Sequence, residues 1–253
     1  MGGHQDDHSG SACLNRIRKR VAIICGSGSG LIAAREMITA GVGSADIVIF
    51  GKSGDVGGVF SSSYQDLQIT SGNLSSFGCF PAPANLAANP KYWTCEEYHA
   101  YLAAFATCFG LFSLIRFHTE VISMKKTTGD LVAVSTVSSS HGMQTFNSYL
   151  CQHVVLCSGT VCQGFGPRLQ QIWVGTLLSD YQSQFEGEVV HSVSYRGARQ
   201  FTGKRVLVVG AGETGSDVSL QVAKVACAKC MSVRRGPGSL IPRVVYGMPS
   251  DSD

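Results

Sequence analysis

The chain opens polar and switches at residues 21–25 to an unbroken apolar run, VAIIC. A short run without alternation, closed by glycine, predicts a strand buried on both faces of a parallel sheet. The stretch GSGSG follows, and residues 31–40 then place apolar positions at helical spacing up to Gly41. A glycine just past the last periodic residue is a common helix stop. Residues 45–50, ADIVIF, give a second buried-strand pattern. Strand, glycine turn, helix and strand in succession predict a βαβ unit. Residues 51–94 lose this periodicity and are rich in Gly, Ser, Asn and Pro, which predicts a long functional loop region. A helix is expected near residues 95–109. The segments FHTEVISMKK, LVAVSTV and TFNSYLCQHVVLCSG then read as an antiparallel meander, with turns at TTGD and SSSHG and a last strand returning to the main sheet.

The opening pattern recurs in GKRVLVVGAGETGSDVSLQVAKVA, with KCMSVRR as the strand after it. Two copies of one supersecondary unit indicate a duplicated nucleotide-binding element and not a short-period repeat array. The predicted fold class is therefore α/β, with two Rossmann-like dinucleotide-binding domains and a small antiparallel meander.

Composition narrows the picture. Hydrophobic residues make up 44% and charged residues 15% of the 253, which is a core-forming composition and not a disordered one. A net charge of +3, with no basic run longer than Arg16, Arg18, Lys19 and Arg20, argues against a nucleic-acid partner. Residues 1–19 read as a disordered leader. No apolar signal segment precedes the first strand, so the ten cysteines are expected to be reduced thiols on a cytoplasmic face. The one Cys-x-x-Cys pair, Cys227 and Cys230, supplies two ligands where a structural zinc takes four, so no metal is expected. The most apolar stretch, residues 101–115, is shorter than the roughly 20 residues of a membrane span and predicts a buried helix. The oligomeric state is left open.

The second glycine turn carries the clearer chemistry. Gly210, Gly212 and Gly215 fit G-x-G-x-x-G between a strand and a helix. The first glycine permits the tight turn, the second lets backbone approach a pyrophosphate, and the third lets helix and strand pack closely. The helix N-terminus then offers free N–H groups and partial positive charge to the phosphates. A tight turn without a ligand is the alternative. Arg234 and Arg235 follow the next strand, where an arginine accommodates a 2′-phosphate, so the pattern favours NADP(H) over NAD(H). A solvated basic turn is the alternative there.

The first turn is less regular. One register puts Cys25, Ser27 and Gly30 at the fingerprint positions; the other puts Gly26, Gly28 and Leu31 there. Neither is complete. Gly26, Gly28 and Gly30 are nonetheless the candidate cofactor contacts. The ribose-binding acid expected after ADIVIF is replaced by Gly51, with Asp55 further on. Losing such a charge-assisted hydrogen bond costs about 1.5–3 kcal/mol.

Between the two turns lies FEGEVVHSVSY, which fits Phe-x-Gly-x-x-x-His-x-x-x-Tyr through Phe185, Gly187, His191 and Tyr195. This resembles the identifying motif of the flavin-containing monooxygenases, in the N- and S-oxygenating branch. GKSGDVGGVF is similar to the family's segment after the second strand, keeping Gly57 and Gly58 but with Gly51 for its acid and Phe60 for its tryptophan. YQDLQITSGNLSSFGCFPAP resembles the loop that covers the flavin, and VVLCSGT the end of the first flavin section. The resemblance runs from about Arg20 to about Arg243.

It implies FAD and NADPH as cofactors, O2 and a small-molecule substrate as partners, residues 20–165 as the N-terminal part of the FAD-binding domain and 166–253 as part of the NADPH-binding domain. In this family NADPH reduces the flavin, the reduced flavin captures oxygen as a C4a-hydroperoxide, and a soft nucleophile, an amine or sulfide, attacks it. The cofactor carries the chemistry and the protein orients it. Asn73 is the candidate polar contact beside the flavin, with an ordinary Asn turn as its alternative. His191 and Tyr195 read as supports between the two domains, not as acid or base. Only residues 236–253 follow Arg235, so relative to the family the fold is expected to be incomplete at the C-terminus. Two other readings stay open: a non-catalytic relic that at most binds NADP(H), and a disulfide reductase using Cys227 and Cys230.

Overall fold

The structure, a computed structural model, describes residues 16–61, 63–64, 66–83, 92–127, 129–140, 142–159, 185–234, 244–245 and 248–249. In chain order the elements are β1 (Arg16–Ile24), α1 (Gly28–Thr39), β2 (Ile47–Phe50), β3 (Gln68–Ser71), α2 (Gly72–Ser75), β4 (Tyr92–Thr94) and α3 (Cys95–Cys108). They continue with β5 (Ile115–Arg116), β6 (Thr119–Lys126), β7 (Val132–Ser140), β8 (Met143–Leu156), β9 (Arg205–Val209), α4 (Glu213–Val222), β10 (Ala228–Ser232), β11 (Val244–Val245) and β12 (Met248–Pro249). The chain divides into two compact units, Met1–Gly58 with Leu102–Ser158, and Val59–Tyr101 with Gly159–Asp253.

The first unit is built on one six-stranded sheet of order β5-β2-β1-β8-β7-β6. The apolar run at residues 21–23 is buried on both faces, as a central parallel strand must be. One face of β1 and β2 carries α1, whose Leu31 and Ala34 are fully buried. The other face joins Ala22, Val48 and Phe50 to Val134, Tyr149 and Cys151 of the meander, with the Phe50 and Tyr149 rings edge to face at 4.8 Å. Helix α1 stops where the sequence says it should: Gly41, at φ +90°, donates its N–H to the Ile38 carbonyl. β8 is the hinge of the sheet. It pairs antiparallel with β7 on one side and parallel with β1 on the other.

That second pairing corrects one expectation. Residues 16–19, read as part of a leader, form the start of β1 and pair with Ser148–Cys151. Alternating Arg and Ile suit a half-exposed strand, and the long β8 offers them a backbone partner. Residues 1–15 lie outside the described residues.

In the second unit β9 and β10 run parallel, in register from Arg205 and Ala228 to Val209 and Ser232, and α4 packs on both. The region read as loop at residues 51–94 also holds structure here: β3 and β4 form an antiparallel pair with an irregularity between Gln68 and Ser71. Helix α3 ends one residue before the expected stop, and a capping box fixes its start. The Thr94 N–H donates to Glu97 at 3.0 Å and the Glu97 N–H donates to Thr94 Oγ1 at 3.2 Å. Trp93, Tyr98, Tyr101, Phe60, Phe77 and Phe80 form an aromatic cluster around that helix end. Tyr101 gives it a polar tie, accepting from the Phe77 N–H at 2.7 Å and donating to the Phe80 carbonyl.

Candidate functional site

Each unit contains one strand–turn–helix corner, and the two are constructed alike. In the second unit β9 is followed by Gly210, which has φ +106° and donates its N–H to the Ser232 carbonyl of β10 at 2.9 Å. A Cβ on Gly215 would lie 2.2 Å from the Gly210 carbonyl oxygen, so only glycine allows α4 to sit this close to the turn. Gly212 is the N-cap; it makes no side-chain cap bond, and a Cβ there would meet nothing within 4 Å. Among the described residues, then, no side chain caps the α4 N-terminus at Gly212.

In the first unit Cys25 stands at the corresponding place. It has φ +94°, and its N–H donates to the Phe50 carbonyl of β2 at 2.9 Å. A Cβ on Gly30 would lie 2.0 Å from the Cys25 carbonyl oxygen. This selects the register Cys25, Ser27, Gly30 over the register ending at Leu31, because only residue 30 faces that carbonyl. Gly26 is buried in the turn, and its carbonyl accepts the Gly57 N–H at 2.9 Å. Gly28 is the first residue of α1.

Gly57 and Gly58 fold back over the turn at φ +104° and +61°. A Cβ on Gly58 would come within 3.0 Å of the Ser27 Cβ. Ser27 is the N-cap of α1. Its Oγ donates to the Cys157 carbonyl at 2.9 Å and accepts the Gly30 N–H at 3.4 Å. Gly51 sits in the backbone between the Arg116 carbonyl and the Thr119 N–H and has no side chain to offer a ribose. Asp55 is turned to local use, its Oδ1 accepting the Val56 N–H at 2.7 Å.

The four motif residues have unequal surroundings. Phe185 is exposed and covers Gly187, where a Cβ would meet its ring at 2.5 Å. His191 caps a short 3-10 turn through Nδ1, which accepts the Val193 N–H at 3.2 Å. Tyr195 is buried, and its hydroxyl donates to Gln221 Oε1 at 2.8 Å. Gln221 Nε2 in turn donates to Asp217 Oδ2 at 3.3 Å, the oxygen that also accepts the Tyr64 hydroxyl at 2.7 Å. The Tyr64 and Tyr195 rings meet edge to face at 5.3 Å. Burial, and then the charges of Asp217 and Asp66, push the Tyr195 phenol up to about 12, so it holds its proton at neutral pH.

The sequence did not point to Tyr64, Asp217 or Gln221. The one available signal was a polar pair four residues apart on the inward face of α4. The sequence missed Glu213 as well, which opens α4 and brings negative charge to the end that would receive a phosphate. Arg234 is exposed beyond β10, and Arg235 lies outside the described residues. Asn73 is part of α2, and its side chain lies outside the described residues.

A cavity of about 210 Å³ in the second unit is lined by Phe60, Ser63, Tyr64, Cys95, Glu96 and His99 among others. Burial, and then the Glu96 charge, raise the Cys95 thiol above its ordinary range, so it is a poor nucleophile at neutral pH. Cys227 and Cys230 are exposed free thiols. Among the described residues no three His, Cys, Asp or Glu side chains gather as metal ligands. No described helix is long and apolar enough to cross a membrane.

Residues 18–252 match the family model described as flavin-binding monooxygenase-like. The 4-hydroxybenzoate brominase (decarboxylating) of Marinomonas mediterranea is 30% identical over 231 residues, covering 90% of this chain and 40% of that protein. Flavin-containing monooxygenase 5 of Mus musculus is 28% identical over 252 residues, covering 92% of this chain and 43% of that protein. The chain thus spans about two fifths of the length of these curated relatives. Among solved structures, S-allyl-L-cysteine S-oxygenase from Allium sativum matches with a TM-score of 0.69 at 20% identity, over 89% of this chain and 54% of that one. At that identity the likeness shows a shared fold.

Proposed function

The chain belongs to the flavin-binding monooxygenase-like family, and from that premise we propose that it serves an FAD- and NADPH-dependent monooxygenase reaction on a soft nucleophile, an amine or a sulfide. The observation that carries the reading is the pair of like-built corners, in which Gly30 and Gly215 each lie against a carbonyl that leaves no room for a Cβ. That close approach of helix to turn aims N–H groups at a pyrophosphate.

At the second corner the N-terminus of α4 would take the NADPH pyrophosphate, with Gly210, Gly212 and Gly215 as its cradle. Arg234 and Arg235 would pair with the 2′-phosphate through their guanidinium forks. At the first corner Gly26, Gly28 and Gly30, with Gly57 and Gly58 folded over them, would hold FAD. The fit there is partial: the Gly30 approach suits a dinucleotide, whereas the Ser27 side chain and the missing acid at Gly51 do not. Asn73 is proposed as the polar contact near the flavin.

Bound FAD, reduced by NADPH, supplies the activation of O2, and no protein nucleophile is needed. The residues of this chain orient the dinucleotides and keep protons in place. Tyr195, neutral and hydrogen-bonded to Gln221, supports α4 and takes no part as acid or base.

The test is incubation of the purified chain with FAD, NADPH, O2 and a tertiary amine or thioether. The expected result is NADPH consumption with N-oxide or sulfoxide product. Consumption without oxygenated product, across both substrate classes, would overturn the reading. A second reading, a protein that retains NADP(H) binding alone, is favoured by Ser27 and Gly51. It expects NADP+ binding with no uptake of flavin.

A further inference from the structure

We infer that Ser27 is an affinity-setting residue of the first corner: its side chain competes with the flavin pyrophosphate for the N-terminus of α1, so that FAD is a dissociable ligand of this chain. The inference rests on the proposed function, since it takes the first corner as the flavin corner.

The two corners share one backbone plan and differ at the N-cap. At the second, the N-cap is Gly212, and among the described residues nothing lies within 4 Å of where its Cβ would stand. At the first, the N-cap is Ser27, and the N–H of the third helical residue, Gly30, already points to its Oγ. This is the ordinary N-cap bond, and the donor it takes is among those a pyrophosphate would use. At 3.4 Å the bond is long, so a phosphate could win that N–H. The stronger effect is that the side chain is held in place. The Ser27 hydroxyl donates to the Cys157 carbonyl at 2.9 Å, which pins it to the end of β8. Behind it, the Ser27 Cβ occupies the space that a side chain at Gly58 would need, at 3.0 Å. A pyrophosphate must therefore either stand off from the turn by the bulk of Cβ and Oγ, or break the bond to Cys157.

Gly51 acts in the same direction through a different contact. Gly51 brings no side chain to a ribose at the end of β2, although the packing there would tolerate one. A Cβ on Gly51 would meet Ile115 and Phe117 at 3.6 Å, ordinary van der Waals distance. The absence is thus not imposed by packing, and the two effects are separable by mutation.

The experiment titrates the full chain with FAD and, separately, with NADP+, by calorimetry or fluorescence, for the wild type, Ser27→Gly, Ser27→Ala and Gly51→Glu. Freeing one charge-assisted bond is worth about 1.5–3 kcal/mol, roughly ten- to a hundredfold in affinity. Ser27→Gly is therefore expected to tighten FAD about tenfold or more. Ser27→Ala, which frees the N–H but keeps the Cβ, should tighten it by less. Gly51→Glu should tighten it independently of both. The NADP+ affinity of every variant should match the wild type, which also reports that the chain is folded. Should Ser27→Gly lose NADP+ binding, the smaller change in Ser27→Ala decides.

Unchanged or weaker FAD binding in folded Ser27→Gly and Ser27→Ala would overturn the inference while leaving the proposed function standing. So would a wild type that keeps one FAD per chain through gel filtration. A wild type that binds neither nucleotide would overturn the inference and the proposed function together.

Discussion

At the scale of single residues, charge at the N-terminus of α4 and the polar tie behind it give two separate tests. Glu213 stabilises the helix end but repels a phosphate arriving there, an effect of about 0.3–1 kcal/mol for one charge in the first turn. Glu213→Gln should therefore tighten NADP+ by roughly two- to fivefold, more at low salt than at high, as read by titration. Tyr195→Phe leaves the Gln221 Oε1 buried without its donor, which costs about 1–3 kcal/mol in urea unfolding. Its pH signature follows from the raised phenol. Below about pH 10 Tyr195 is neutral folded or unfolded and contributes no pH dependence. From about 10 to about 12 the unfolded chain releases the proton that the folded chain keeps, so stability falls as pH rises. Tyr195→Phe should lack that share of the alkaline decline, and an unchanged slope would contradict the assignment.

These residues also show where the sequence was legible. Gly210, Gly212 and Gly215 announce their turn because all three positions are glycine. The first turn hides its register because Cys25 takes a positive φ that usually calls for glycine. Gly26 and Gly28, being glycines, then offer a competing register. The Tyr64 and Asp217 contact joins residues 153 apart in the chain, and no local pattern encodes it.

At the scale of elements, the two corners depend on helix and strand approaching within the radius of a methyl group. Gly215→Ala would place a Cβ 2.2 Å from a backbone oxygen, which has no rotamer to yield. The helix must shift, at a cost of about 1–3 kcal/mol by analogy with overpacked cores. NADP+ affinity should fall with it, whereas Gly212→Ala, in open space, should cost far less stability. The βαβ units, the meander and α3 were readable from periodicity because each is an apolar pattern of ordinary length. The start of β1 at Arg16 was not, since its charged alternation is stabilised by the length of β8, a partner more than a hundred residues away. β3 and β4 were also missed, because three- and four-residue strands leave too few positions to show alternation.

At the scale of the molecule, the chain divides into two units, and in each a helix glycine, Gly30 or Gly215, lies against a turn carbonyl. The family match over residues 18–252 agrees with the motif at Phe185, Gly187, His191 and Tyr195. Fold and family were thus both accessible from the sequence. The defects of the first corner at Cys25, Ser27 and Gly51 were legible as well, but the hold of Cys157 on the Ser27 hydroxyl was not, because it joins residues 130 apart in the chain. Reduction of flavin by NADPH is the most direct test of the proposed function. Mixed anaerobically with excess FAD, the purified chain should let NADPH bleach the visible absorbance of the flavin, and NADH should do so far more slowly. No bleaching by NADPH at saturating FAD, from a chain whose melting point rises with NADP+, would contradict it.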